Sequence, residues 1–276
     1  MPFELHPPTL ALRPFVRAYW MYSNHGEQTA GEVERIVADG CAEIVIHLGD
    51  EFSEWSGDRF ATQPRALFAG QLTRPLLLAP GRNIDVMGVR FEPAGARRFG
   101  LRRQSIFTDR RWAVEDLLSR ERLVWWRATL DRVASAATSQ MRIEAMEDFL
   151  YKGLAAAASP TPDATDACVS MIASAGGCGD LSAIATKASL SRRQLQRRFL
   201  DDVGVGPKLF SRIVRFQRVF DRTQFGTVDW AQVALSCGYF DQPHLLRDFR
   251  QFAGEPPRSL LESRAPLTAA FSVHRG

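Results

Sequence analysis

Ile184-Ala185-Thr186-Lys187-Ala188-Ser189-Leu190-Ser191-Arg192-Arg193-Gln194-Leu195-Gln196-Arg197-Arg198-Phe199 and Val233-Ala234-Leu235-Ser236-Cys237-Gly238-Tyr239-Phe240-Asp241-Gln242-Pro243-His244-Leu245-Leu246-Arg247-Asp248-Phe249 are two copies of one pattern. Each has a short apolar pair, a turn, a helix-capping residue and two large apolar residues four apart. The copies close on Gly204…Pro207 and Gly254…Pro257. Their offset is 49 residues before the turn and 50 after it, so the second turn is one residue longer. Two helices joined by so short a turn describe a helix-turn-helix, and its repetition describes a tandem pair.

The local physics supports this reading. Ser191 and Asp241 suit the N-cap of each second helix, where a side-chain oxygen accepts from a free backbone N–H. Leu195 with Phe199, and Leu245 with Phe249, bury one face against the preceding helix. Arg192, Arg193, Gln196 and Arg197 are then left on the open side of one helix. Gln242, Pro243, His244, Leu246 and Arg247 hold the corresponding region of the other. A major groove admits a helix, and Arg or Gln reads guanine or adenine edges bidentately. Between the copies, Pro207 suits a first helical turn, and Leu209 to Asp221 continues as a stiff connecting helix.

Charge agrees with a polyanionic partner. Residues 1–159 carry 20 basic and 20 acidic side chains, and residues 160–276 carry 15 and 11. Within 181–222 ten basic residues face three acidic ones, against a net charge of +4 for the 276-residue chain. Such a local excess fits nucleic acid, although a solvated helix face gives the same count.

The other half reads differently. Residues 30–92 carry short apolar runs between Pro- and Gly-bearing loops: Glu43–Leu48, Leu67–Gly70, Leu76–Leu78 and Asp85–Phe91. No helix interrupts them, which excludes a parallel βαβ sheet and predicts an antiparallel sandwich or small barrel. From Pro93 to Leu154 the apolar spacing turns helical. Ala155 to Asp163, with its Ala-Ala-Ala-Ala-Ser-Pro-Thr-Pro run, reads as a linker. The fold class is therefore α+β followed by an all-α unit.

Several functions are excluded by what the chain lacks. No apolar run is long enough to span a bilayer, and the N-terminus has no basic-then-apolar leader. Cys41, Cys168, Cys178 and Cys237 lie far apart with no CxxC pair, so the expectation is a cytoplasmic protein without structural disulfides or zinc. No GxSxG elbow, Walker loop or GxGxxG occurs, and His6, His25 and His47 form no HxH pair for a metal. Neither a catalytic residue nor a cofactor is expected. His47 reads as a packed histidine or as a ligand contact, and Arg90 as an acid-paired residue or as a reach toward an anionic ligand. Trp125-Trp126, with Leu123, Leu130 and Val133, reads equally as core or as a subunit contact.

The tandem unit from Asp166 to Arg264 resembles the AraC/XylS family of bacterial transcription regulators. The carriers are Gln194-Leu195-Gln196-Arg197-Arg198-Phe199, Gly204-Val205-Gly206-Pro207, Gly238-Tyr239-Phe240-Asp241-Gln242-Pro243-His244-Leu245 and Gly254-Glu255-Pro256-Pro257. The resemblance implies a sensor or dimerisation domain at 1–157, cupin-like to about 92 and helical over 93–157. It further implies a linker at 158–165, a DNA-binding domain at 166–265 and a tail at 266–276. Base reading would fall to Arg193, Gln196, Arg197, Gln242, Pro243, His244 and Arg247. Phosphate contacts would fall to Lys187, Ser191, Arg192, Arg198, Lys208, Asp241, Arg250 and Arg258. Double-stranded DNA, RNA polymerase, a small-molecule effector and a second subunit are the implied partners. Two departures stand out: Ser189 replaces the usual turn glycine, and Pro243 a common polar residue. The competing readings are a cupin-like enzyme and an architectural dimerisation protein, each with a DNA-binding tail.

Overall fold

The computed structural model describes residues 3–24, 33–156, 161–223 and 228–261. His25, the middle of the proline-bearing linker and the tail lie outside the described residues. The strands are β1 (Phe3–His6), β2 (Val16–Ser23), β3 (Glu34–Ile36), β4 (Glu43–His47), β5 (Ser53–Trp55), β6 (Phe60–Thr62), β7 (Ala66–Ala69), β8 (Leu76–Ala79), β9 (Asp85–Phe91) and β10 (Arg111–Ala113). They form a six-stranded sheet ordered β1-β2-β9-β4-β7-β10 and a four-stranded sheet ordered β3-β8-β5-β6. Every pairing is antiparallel. Neither sheet closes on itself, so the barrel implied by resemblance is an open sandwich. The segment expected to be wholly helical also contains a strand, β10, which pairs with β7 through Arg111, Trp112 and Ala113.

The larger sheet is buried on both faces. One face (Tyr19, Met21, Ile44, Ile46, Met87, Val89) packs under two helices, α1 (Arg120–Ser135) and α2 (Ser139–Ala155), through Trp126, Val133, Met146 and Phe149. Alternate residues (Trp20, Tyr22, Val86) turn to the opposite face, as a period of two requires. Trp126 is fully buried against Phe149, and Trp125 lies half-buried under the Lys152 ammonium. Val133 is core and Leu123 and Leu130 pack against it, so those three serve the interior.

The C-terminal part consists of α3 (Ala164–Ser174), α4 (Leu181–Lys187), α5 (Arg192–Asp202), α6 (Pro207–Arg222), α7 (Trp230–Ser236), α8 (Gln242–Phe252) and α9 (Pro257–Leu261). Its two halves bury their apolar faces in different places. Leu195, Phe199, Phe210 and Val214 close a core of their own with Cys168, Ile172 and Ile184. Phe216, Phe220, Leu245, Phe249 and Phe252 join Trp20, Tyr22, Phe52, Leu76, Leu78 and Val86 of the sandwich in one continuous core. No helix among the described residues is long and apolar enough to cross a membrane.

Candidate nucleic-acid interface

The first helix pair is α4 and α5. Its turn needs a left-handed residue, and Ser189 supplies it at φ 56°. Ser191 then caps α5 in a reciprocal box: its Oγ accepts from Gln194 N at 3.2 Å, and Gln194 Oε1 accepts from Ser191 N at 2.8 Å. Leu195 and Phe199 face inward and are buried. The opposite face of the helix presents Arg193 and Arg197, both exposed. Neither has an ion pair or hydrogen bond among the described residues. Gln196 is exposed but turned to the flank, where a Cβ on Gly206 would stand 2.7 Å from its Nε2. Arg192, Lys187 and Lys208 are exposed around the same end, and Arg198 is half-buried.

The second pair, α7 and α8, repeats the plan with different occupancy. Gly238 takes the left-handed position at φ 81°. Asp241 Oδ1 accepts from His244 N at 2.7 Å, capping α8. The His244 ring folds back on the turn, its Nδ1 3.5 Å from Phe240 N and its centroid 5.1 Å from that of the Tyr239 ring, the two planes perpendicular. Gln242 is half-buried, and Pro243, Arg247 and Arg250 are exposed. Arg258 is exposed on α9. Asp241, expected from the resemblance to touch phosphate, is instead engaged as a cap, and a carboxylate has no proton to give a phosphate.

The charge count of 181–222 overstates the free cations. Arg212 Nη2 donates to the buried Asp248 at 2.6 Å and to Gln251 Oε1 at 2.6 Å, with its guanidinium 5.2 Å over Phe252. Arg215 Nη1 donates to Gly238 O at 3.2 Å, and Arg218 Nη1 to Gly176 O at 3.4 Å. Arg212 and Arg215 tie α6 to the second helix pair, and Arg218 ties it to the turn after α3. Among the described residues of 181–222, most of the cations without an ion pair lie on α5: Arg192, Arg193, Arg197 and Arg198.

Sequence reasoning missed the joint between the two halves. Arg97 Nη1 donates to Asp202 at 2.7 Å, while its Nη2 reaches Asp163 at 2.9 Å and Asp166 at 2.8 Å. Arg98 adds a second bond to Asp166 at 2.8 Å. Burial raises the Asp163 carboxyl, but the hydrogen bond and charge of Arg97 outweigh it and hold its pKa at about 2. Arg35 Nη1 donates to Ala253 O at 2.9 Å and its Nε meets Glu255 at 2.9 Å. Gln217 Nε2 donates to Ala38 O at 2.7 Å, and Thr108 Oγ1 to Gly204 O at 2.7 Å. Partners so far apart in the chain leave no local signal.

The two residues singled out for a ligand do not share a cavity. His47 is fully buried, its Nε2 3.3 Å from Gln63 Oε1 and its ring against Phe52. Burial lowers its pKa. Arg90 Nε donates to Glu43 at 2.5 Å and lies 3.4 Å from Asp39, the acid-paired alternative. The cavity between the sheets, about 60 Å³, is lined by Trp20, Glu43, Phe52, Gln63 and Arg111 among others, and by neither His47 nor Arg90. It has room for a few waters and is well below the ~300 Å³ of a small-molecule site.

Comparison with known proteins divides the chain in the same way. Residues 4–113 match a domain of unknown function (DUF6597), and residues 184–263 match a helix-turn-helix domain. Over 82 residues the chain is 30% identical to the HTH-type transcriptional regulator GbdR of Pseudomonas aeruginosa, in two strains, covering 29% of this chain and 22% of that protein. The chain therefore spans about a fifth of the length of the curated relatives it matches. A solved structure of ToxT from Vibrio cholerae superposes with a TM-score of 0.50 at 11% identity, covering 95% of this chain and 98% of that one. That likeness is one of fold.

Proposed function

We infer, from the helix-turn-helix match over residues 184–263 and the likeness to an HTH-type transcriptional regulator, that this chain is an AraC/XylS-type regulator that binds duplex DNA sequence-specifically and controls transcription. One observation supports the assignment of readers: Arg193 and Arg197 stand exposed on a capped α5 with no partner among the described residues, while Arg212, Arg215 and Arg218 of α6 are tied down. Arg193 and Arg197 read base edges, with Gln196 at the flank. Arg247 does so from α8, where Pro243 offers only apolar contact and Gln242 and His244 lie partly withdrawn. Lys187, Arg192, Arg198, Lys208, Arg250 and Arg258 neutralise phosphates, and the α5 N-terminus at Ser191 adds its dipole to one of them. Helix α6, 16 residues and about 24 Å long at ~1.5 Å per residue, is the stiff spacer between the two readers.

The N-terminal half then serves control rather than catalysis, through an effector or a second subunit, with RNA polymerase as the downstream partner in the cytoplasm. Regulation is expected to act at the joint of Arg97 and Arg35, where the sandwich holds both helix pairs. The test is selection from random duplex DNA with the full chain. Enrichment of two short elements about one helical turn (~34 Å) apart supports the reading. Salt-sensitive binding with no enriched motif overturns it in favour of an architectural platform.

A further inference from the structure

A cleft of about 650 Å³ opens where the turn Ala96–Phe99, the end of α2 and the end of α5 meet. Arg97, Arg98, Arg102, Arg103 and Arg122 line it, against Asp201 and Asp202. Arg97 and Arg98 are committed to the carboxylates of the joint. Arg102 and Arg103 are exposed, Arg122 is half-buried, and none of the three has a carboxylate partner among the described residues.

Arg122 is the unusual one. Its Nη1 donates to Phe99 O at 2.6 Å, and its guanidinium lies between two glycines. A Cβ on Gly100 would stand 2.1 Å from Nη1, and one on Gly153 would stand 2.8 Å from Nη2. The fold thus clears the space of two side chains for a half-buried cation that no carboxylate touches among the described residues, Glu121 offsetting its burial only from a distance; desolvation disfavours such a cation until an anion arrives. Burial lowers its pKa accordingly. Arg103 sits at φ 56°, a left-handed conformation that a bulky residue adopts only when its surroundings impose it.

The DNA backbone is a poor occupant. Asp201 follows Arg193 and Arg197 at four-residue spacing on the outer face of α5, so a phosphate track nearing the cleft meets an exposed carboxylate. A small molecule that enters the concavity meets five arginines against the two carboxylates. We propose that this cleft binds a small, multiply charged oxyanion, held by Arg102, Arg103 and Arg122. Phosphoryl and carboxylate ligands share that chemistry, since the guanidinium fork engages both. Because Arg97 lines the same cleft and holds Asp202, occupancy is felt at α5. That coupling rests on the DNA-binding reading above; the binding does not.

The test is calorimetric titration of the full chain with pyrophosphate and, separately, with citrate, at ionic strength fixed with chloride. Saturable binding of one anion per chain is expected, weakened about tenfold or more by Arg122→Met and by the double variant Arg102→Ala/Arg103→Ala. The DNA-face variant Arg193→Ala/Arg197→Ala should bind as the parent does. Tighter pyrophosphate assigns a phosphorylated ligand; tighter citrate assigns a polycarboxylate. The proposal is overturned if heats track ionic strength alone, or if the DNA-face variant loses the binding. It is equally overturned if the double variant, whose exposed side chains the fold does not need, keeps full affinity. A saturated cleft that leaves DNA affinity unaltered overturns the coupling alone.

Discussion

The two helix pairs share one plan and use their polar residues in opposite ways. In α5 the cap is a neutral serine closed in a box with Gln194, and the outward arginines have no ion pair or hydrogen bond among the described residues. In α8 the outward positions hold Pro243 and Arg247, one cation in place of two, and the residues that match Gln194 and Arg198 are drawn inward: His244 folds onto the turn, and Asp248 is buried under Arg212. Their cores differ in the same sense. The first pair closes a core to which the N-terminal half adds only Ala94, whereas the second shares its core with the sandwich. On the proposed reading this difference is a division of labour, with the first pair supplying most of the base contacts and the second most of the anchorage.

The strongest way to break that division is to empty the shared core. Phe249 is fully buried and its ring centroid lies 4.8 Å from that of Phe216. Phe249→Ala should cost about 3–5 kcal/mol and loosen the sandwich as well as α8. Hydrogen exchange should rise in β9. Phe199→Ala, equally buried in the separate core, should cost a similar amount while raising exchange in α3 and α4 and sparing β9. Identical exchange patterns for the two variants would show that the cores do not act separately.

The next test concerns reading itself. Arg193→Ala or Arg197→Ala should cost about 1–3 kcal/mol on the selected site and relax its sequence preference. Arg247→Ala should cost less, because its helix neighbours contribute little. Fluorescence anisotropy on selected and scrambled duplexes separates the cases. Equal losses on both duplexes would make the α5 arginines phosphate contacts and erase the contrast between the pairs.

How much of this was legible in the chain follows the same contrast. The tandem plan, its caps and its outward arginines are local, set by residues three and four apart, and read directly. Strands β4, β7, β8 and β9 were equally plain as apolar runs between turns. Strand β2 was not, because Val16 to Tyr22 is buried on both faces and so lacks the alternation that marks a half-exposed strand. Strand β10 is three residues inside a stretch of helical spacing. The joint escaped because Arg97 meets Asp202 across 105 residues, and nothing at either end announces the other. Arg90 was legible as a residue paired with an acid or facing an anionic ligand, but not the identity of its partner, because Glu43 lies on a neighbouring strand.

A smaller effect is expected at that joint. Arg97→Met leaves Asp163, Asp166 and Asp202 with less compensation, but their partial exposure softens the loss to about 1–2 kcal/mol. The sign with pH is fixed by Asp163, whose pKa is depressed from 3.8 to about 2 in the folded chain. Its contribution is complete above the ordinary carboxylate value and fades as pH falls from about 4 toward 2. Denaturation midpoints of parent and variant should therefore converge in that window. A gap that stays constant from neutral pH to pH ~2 would show that the ion pairs do not carry the difference.

The smallest effect bears on the turns. Ser189 and Gly238 occupy the same left-handed position, at φ 56° and 81°. A side chain there is disfavoured by about 1 kcal/mol, so Ser189→Gly should stabilise the first pair by up to that amount, less the entropy glycine adds to the unfolded chain. The reverse change is not its mirror image. A Cβ at Gly238 would stand 2.2 Å from Cys178 Sγ, so Gly238→Ser adds a steric clash to the backbone cost. The second turn abuts Cys178, in the turn between α3 and α4, while the first, with Ser189 exposed, tolerates a side chain. Thermal melts of the two variants should move in opposite directions, with the larger shift at Gly238. Equal and opposite shifts would mean that backbone conformation alone decides both turns, and that the packing difference between the pairs ends before it reaches them.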